Sequence, residues 1–264
     1  MSLRDLLKAV EAQTYSTAEA LEVILMTTSS DGFDLNGMFD YIADCSQSDD
    51  PEIRYYAFRI MSQAMSNWDK DKLAERIDYI ISCDRSDDFG VRNNLYTLAI
   101  KVIVEWDRDK LAQMVKYLVN AQECTSPYVC GQARKLAAKI SADHLAKHLE
   151  YFIKCQKSYN FKVRDLAVEL ASKISDDCLS EKIHYLMSFR YSSNHDVRYL
   201  TCKLALKVMS SWSVEDLTRN FRYLISCTHA GDYNVSSLAR ELLSKIDAEA
   251  LKNKDQEIIA LLKK

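Results

Sequence analysis

The 264-residue sequence has only two prolines and five glycines. A chain of many β-turns or a disordered low-complexity chain needs far more of both, so those classes are excluded. Long apolar runs are also missing. None is long enough to span a bilayer, and the opening stretch M-S-L-R-D-L-L-K-A-V-E-A-Q carries charges among its apolar positions, unlike a secretion signal. Charge of one sign is not in excess: 35 Lys and Arg face 38 Asp and Glu, for a net charge of −3 and a pI near 6.0. No overall basic character therefore points to nucleic acid, although a local basic stripe is compatible with these totals. What is present, 48% hydrophobic and 28% charged residues, is ample for a folded core. The expectation is a soluble cytoplasmic protein in a reducing compartment, with no membrane partner.

The sequence repeats one helical pattern. It is clearest at residues 160–174, where Val163, Leu166, Ala167, Leu170, Ala171 and Ile174 form a one-sided apolar stripe. The equivalents of Val163 are Ile53, Val91, Val129, Val197 and Val235, so successive anchors are 38, 38, 34, 34 and 38 residues apart. The four-residue difference is about one helical turn. Three residues before each anchor stand Asp50, Asp88, Ser126, Asn160, Asn194 and Asp232, all residue types that cap helix N-termini. Pro51 and Pro127 follow the cap, where a missing N–H costs nothing.

A second helix precedes each of these, anchored at Leu35, Leu73, Leu111, Leu145, Leu179 and Leu217. Its caps are Asp31, Asp69, Asp107, Ser141, Ser175 and Ser213. The preceding helix is termed A and the following one B. The pattern predicts one domain over 1–264. Residues 1–30 hold a degenerate pair (3–12 and 17–27), 31–246 hold six A–B hairpins, and 247–264 hold a closing helix at 248–262. Atypical ends are expected, because terminal repeats need a polar outer face.

The B pattern, I/V-R-x-x-A-x-x-L/I, resembles the HEAT repeats of armadillo-like α-solenoids. Ile53 and Arg54 stand with Ala57 and Ile60, Val163 and Arg164 with Ala167 and Leu170, and Val197 and Arg198 with Thr201 and Leu204. The resemblance covers all six repeats. It departs at Cys130 and Ser236, which replace the arginine, and the aspartate typical before the valine occurs only at Asp196. The A-helix proline common in HEAT repeats is absent. The resemblance implies an all-α fold, a right-handed α–α superhelix with an inner surface built mainly of B helices. It does not imply one function, because this scaffold hosts many.

In stacked repeats a repeated position becomes a column. Tyr41, Tyr79, Tyr117, Tyr151, Tyr185 and Tyr223 all lie six residues after an A anchor. They suit packing between repeats, with each hydroxyl bonded at the edge; an aromatic binding strip is the alternative. Ten residues after the B anchors stand Gln63, Lys101, Lys139, Lys173, Lys207 and Lys245. Arg59, Lys135 and Lys203 lie one turn earlier, in a row that Glu169 and Glu241 interrupt. These cations suit the negative ends of helix dipoles, and they could equally line a groove for an anionic partner. The candidate binding residues are therefore Lys101, Lys135, Lys139, Lys173, Lys203, Lys207 and Lys245.

Three further columns read as structural. The HEAT resemblance implies that Arg54, Arg92, Arg164 and Arg198 tie neighbouring repeats together. Cys45, Cys83, Cys155 and Cys227 act as small buried apolar residues. Packed helices lie about 8–10 Å apart, beyond disulfide reach for stacked equivalents. Cys124, Cys130, Cys178 and Cys202 form no C-x-x-C pair. Trp68, Trp106 and Trp212 occur in the three repeats whose spacing is expected to lengthen the B-to-A connection, and they should plug it.

Catalytic patterns are scarce. No Gly-rich phosphate loop occurs. His144 and His148 have i, i+4 spacing but lack the glutamate of H-E-x-x-H. No catalytic, metal or cofactor residue is assigned. The leading reading is a non-catalytic protein-binding scaffold or adaptor whose B-helix surface holds an acidic segment of a partner. The alternative is a HEAT-like nucleic-acid-binding protein, such as an alkylated-base DNA glycosylase; the net charge and the turn-plugging tryptophans weigh against it. A third resemblance, to HEAT-type bilin lyases, would need a pigment pocket that no sequence feature marks.

Overall fold

The computed structural model describes residues 16–28, 38–83, 86 and 88–246. The expected helices at 3–12 and 248–262, and the first A-helix cap and anchor, lie outside the described residues. Among the described residues every element is helical: eighteen α-helices and two 3-10 turns. The chain falls into two compact units, 1–136 and 137–264.

The six B helices are Pro51–Met65, Phe89–Ile103, Pro127–Ala137, Phe161–Ser172, His195–Met209 and Tyr233–Ser244. All six expected caps form. The Asp88, Asn194 and Asp232 carboxyl or amide oxygens accept from Val91 N at 2.9 Å, Val197 N at 2.9 Å and Val235 N at 3.0 Å. Asp50 and Asn160 accept from Glu52 N and Lys162 N, and Ser126 from Val129 N at 3.4 Å. Each bond satisfies a backbone donor that the helix itself leaves free.

The 34- and 38-residue spacings have a different origin from the one expected. The B helices of repeats 1, 2 and 5 are 15 residues long, and those of repeats 3 and 4 are 11 and 12. The extra residues are one more helical turn, while the connections stay short. Trp68, Trp106 and Trp212 therefore follow a longer helix rather than a longer connection. Each is half-buried and donates its backbone N–H three residues back, to Met65, Ile103 and Met209.

The A helices of repeats 2–6 are each broken at one register. The first unit has Lys70–Glu75 then Ile77–Ser82, and Arg108–Gln113 then Val115–Asn120. The second has Ala142–Ala146 then Leu149–Cys155, Asp176–Glu181 then Ile183–Ser188, and Val214–Arg219 then Phe221–Cys227. The break residues Arg76, Met114, His148, Lys182 and Asn220 have φ between −117° and −99° and ψ between 8° and 18°. Each donates to the carbonyl three residues back and accepts from the amide four residues on, closing one segment and opening the next. No proline causes this. At Asn220 the side chain also bonds the Asp216 carbonyl at 2.9 Å, which helps hold the break open.

The B helices of repeats 1, 2, 4, 5 and 6 pack on the A segments of their repeats. Neighbouring B helices also pack together, Pro51–Met65 on Phe89–Ile103 in the first unit, and Phe161–Ser172, His195–Met209 and Tyr233–Ser244 in series in the second. The position four residues after the B anchor is small and fully buried at Ala57, Ala133, Ala167, Thr201 and Ala239. Thr201 satisfies its hydroxyl on Val197 O at 2.8 Å.

Gly231 has φ +82°, and a Cβ there would lie 2.0 Å from His195 Nε2. The exposed imidazole can rotate away, so the backbone conformation carries most of the cost. Gly231→Ala is expected to lower stability by about 1–2 kcal/mol, and pairing it with His195→Ala should recover only a minor part in chemical denaturation. Full recovery would show that the imidazole contact carries the cost.

Candidate functional site

The turn from A to B contains a bonding pattern built from side chains. Arg54 Nη1 donates to the carbonyls of Ser48 at 2.6 Å and Asp49 at 2.8 Å. Arg164 Nη1 donates to Ser158 O at 2.7 Å and Tyr159 O at 3.2 Å. Arg92 and Arg198 reach Ser86 O and Ser192 O. Each of these serines also accepts, on Oγ, the N–H of the B-helix cap residue: Asp50, Asp88, Asn160 and Asn194. The arginines thus fasten the turn of their own repeat, a correction to the tie between repeats implied by the resemblance. Arg164 does both: its Nε lies 3.1 Å from Asp196 of the next repeat. Where Cys130 replaces the arginine, its thiol donates to Cys124 O at 3.1 Å.

The lysine column is divided in its partners. Lys101 and Lys135 in the first unit, and Lys139 in the second, are exposed. Lys173 and Lys245 face Glu169 and Glu241 of their own helices at 3.4 and 3.6 Å. Lys207 is bound: its Nζ lies 2.7 Å from Ile174 O, 3.3 Å from Ser172 O and 3.0 Å from Asp176. It ties the B-helix end of repeat 4 to the A helix of repeat 5. Lys203 is half-buried and lies over the Tyr199 ring at 5.8 Å.

The tyrosine column straddles the edge of the core, with Tyr41, Tyr79, Tyr151 and Tyr185 half-buried. Tyr117 and Tyr223 are buried, and Tyr117 Oη donates to Leu95 O at 3.4 Å. The edge hydrogen bond expected of every member fails at two: the buried Tyr79 and Tyr223 hydroxyls have no hydrogen-bond partner. Burial pushes both phenols well above the usual tyrosine range. Cys45, Cys83, Cys155 and Cys227 are buried. Burial raises Cys45, and the adjoining Cys202 thiol, followed by burial, raises Cys227.

Other candidates do not assemble into chemistry. His144 lies in the first A segment of repeat 4 and His148 is the break residue that follows it; His144 Nδ1 lies 2.9 Å from Ser141 Oγ. Among the described residues no group of three or more His, Cys, Asp or Glu is placed to hold a metal ion, and no helix is long and apolar enough to cross a membrane. A cleft of about 660 Å³ opens at the turns of the first unit, lined in part by Ser48, Asp49, Arg54, Tyr55, Lys116 and Tyr117. Its Arg54 guanidinium already holds the Ser48 and Asp49 carbonyls.

The columns miss a set of exposed rings at the A–B turns of the second unit. Tyr159 is 104% exposed, Phe161 59%, Tyr191 79% and Tyr233 79%. Phe161 and Tyr233 share the register two residues before the B anchor, which is visible in the sequence. Tyr159 and Tyr191 follow no common register.

No protein-family model and no curated protein sequence matches the chain. Among solved structures, an archaeal HEAT-like repeats protein from Thermococcus onnurineus NA1 is similar at 13% identity. The match covers 95% of this chain and 98% of that one, with a TM-score of 0.36. The fold therefore rests on the helices, caps and packing above.

Proposed function

We propose that residues 1–264 form one helical-repeat scaffold that binds a protein partner and catalyses no reaction. An acidic segment of that partner lies along the C-terminal parts of the B helices. Lys101 and Lys135 are the candidate contacts in the first unit, and Lys139, Lys173, Lys203, Lys207 and Lys245 in the second. The observation that carries this reading is that Lys101 and Lys139 are exposed at equivalent register with no ion pair among the described residues. Lys173 and Lys245 sit in exposed i, i+4 pairs of small net value, so their ammonium groups are exchangeable. Lys207 is the weakest candidate, because its ammonium holds two backbone carbonyls and Asp176.

The test measures binding of a fluorescein-labelled polyglutamate peptide to the full chain at low salt. The Lys101→Glu/Lys139→Glu double variant is expected to bind roughly tenfold more weakly, since each exposed pair contributes up to about 1 kcal/mol. Lys207→Met should lower thermal stability and weaken peptide binding less than the double variant does. Equal affinity of the double variant and the parent chain would end the lysine reading.

A further inference from the structure

The A–B turns of repeats 4, 5 and 6 are neighbours in the second unit. Arg164 of repeat 4 reaches Asp196 of repeat 5 at 3.1 Å. His195 of repeat 5 lies directly over Gly231 of repeat 6. The three turns thus form one continuous edge at the N-terminal ends of their B helices. Tyr159, Phe161, Tyr191 and Tyr233 project from it.

Single exposed rings are ordinary on protein surfaces. Two further observations set this edge apart. The first is charge. The equivalent twelve-residue stretches 154–165, 188–199 and 226–237 carry six Lys or Arg against three Asp. Arg164 and Arg198 hold turn carbonyls, which leaves four lysines and arginines; of the carboxylates, Asp196 is held by Arg164, and Asp232 accepts the Val235 N–H as a cap. Lys157 and Lys162 flank the first two rings in sequence, and the Arg190 guanidinium lies 4.6 Å from the Tyr191 ring centre. At the same register the first two repeats have the opposite balance: 44–55 and 82–93 carry seven Asp or Glu against three Lys or Arg. The second observation is spacing. The rings come from successive turns with polar residues between them, so they make separate platforms rather than the contiguous apolar centre of a protein interface.

Separate ring platforms interleaved with cations fit single-stranded nucleic acid. Bases stack on the rings whatever their sequence, and the cations follow the phosphates. The chain's net charge of −3 does not oppose this, because charges beyond about 10 Å are screened at moderate salt. We infer that the edge formed by the A–B turns of repeats 4–6 binds single-stranded nucleic acid, through stacking on Tyr159, Phe161, Tyr191 and Tyr233 and phosphate pairing with Lys157, Lys162 and Arg190. This surface is separate from the lysine column at the other ends of the B helices.

The experiment titrates the full chain into fluorescein-labelled oligothymidylate and follows anisotropy over a range of salt. Binding is expected at low salt and should weaken as salt rises. Tyr159→Ala, Tyr191→Ala and Tyr233→Ala should each weaken it by roughly fivefold or more. Lys157→Glu/Lys162→Glu should make the log–log salt slope shallower by about 0.7 for each phosphate that is no longer neutralised. Phe89→Ala, an exposed ring in the acidic register of repeat 2, should change nothing. All these side chains are at least partly exposed, and circular dichroism checks that each variant folds. No binding at low salt, or affinities indifferent to the three tyrosines, would overturn the inference. So would polyglutamate binding through the same tyrosines where oligothymidylate does not, since the edge would then be a protein-docking surface. The Lys101→Glu/Lys139→Glu variant separates this outcome from the scaffold reading, because it should leave oligothymidylate binding intact.

Discussion

Replacing Arg164 by alanine is expected to lower the unfolding free energy by about 2–3 kcal/mol, seen as a lower urea midpoint at unchanged slope. This guanidinium fastens the Ser158 and Tyr159 carbonyls of its own turn and the Asp196 carboxylate of the next repeat. Hydrogen bonds to a charged donor are worth about 1.5–3 kcal/mol each. The side chain is 29% exposed, however, and water can replace part of what is removed, so the three interactions do not sum. Arg164→Lys should recover less than half. An ammonium keeps the charge but lacks the planar fork that serves two carbonyls and a carboxylate together. A loss below about 1 kcal/mol for the alanine variant would show that the caps hold these turns unaided.

Tyr223→Phe should act in the opposite direction and raise stability by about 1–2 kcal/mol. The ring is 1% exposed and its hydroxyl has no hydrogen-bond partner. Folding therefore strips water from a polar group and returns only weak contacts with the Cys202 and Cys227 thiols. Tyr79→Phe should behave alike, because its ring keeps the edge-on contact with Phe39 at 5.2 Å. Tyr117→Phe should cost stability, since that hydroxyl donates to Leu95 O. The alkaline limb gives an independent reading. Burial holds the folded-state phenols of Tyr79 and Tyr223 above the unfolded value of about 10. Below that pH both states are protonated and the full stability is present. Above it the unfolded chain releases the proton first, so stability falls as pH rises. Phenylalanine at either position should flatten that fall; an unchanged alkaline slope in both variants would contradict the buried-phenol account.

The repeat and its caps were legible in the sequence because they depend on local rules. A helix period and a capping oxygen three residues before the anchor leave a mark at fixed spacing, and all six B-helix caps formed where that mark fell. Ser48, Ser86, Ser158 and Ser192 were equally legible, since they stand five residues before the anchor in the same repeats that carry the arginine. Nothing in residue type alone suggested that their carbonyls were its target. The A-helix break was hidden because Arg76, Met114, His148, Lys182 and Asn220 share no chemistry. Their register is set by what the A segments pack against. Lys207 was hidden for a related reason: a lysine near a helix end looks solvated until the neighbouring repeat supplies carbonyls at Ser172 and Ile174. Exposure of the turn rings is likewise a property of the stack, and the register of Phe161 and Tyr233 gave only part of it.

The broken A helices bear on how the chain comes into being. Their segments are five to seven residues long, well under the roughly 12–15 residues an isolated helix needs in water. An A segment becomes helical when a B helix offers it a surface, and in every repeat the A part is synthesised before its B part. During translation the leading hairpin is therefore always half-formed: its A residues wait, uncoiled, for a helix that has yet to emerge.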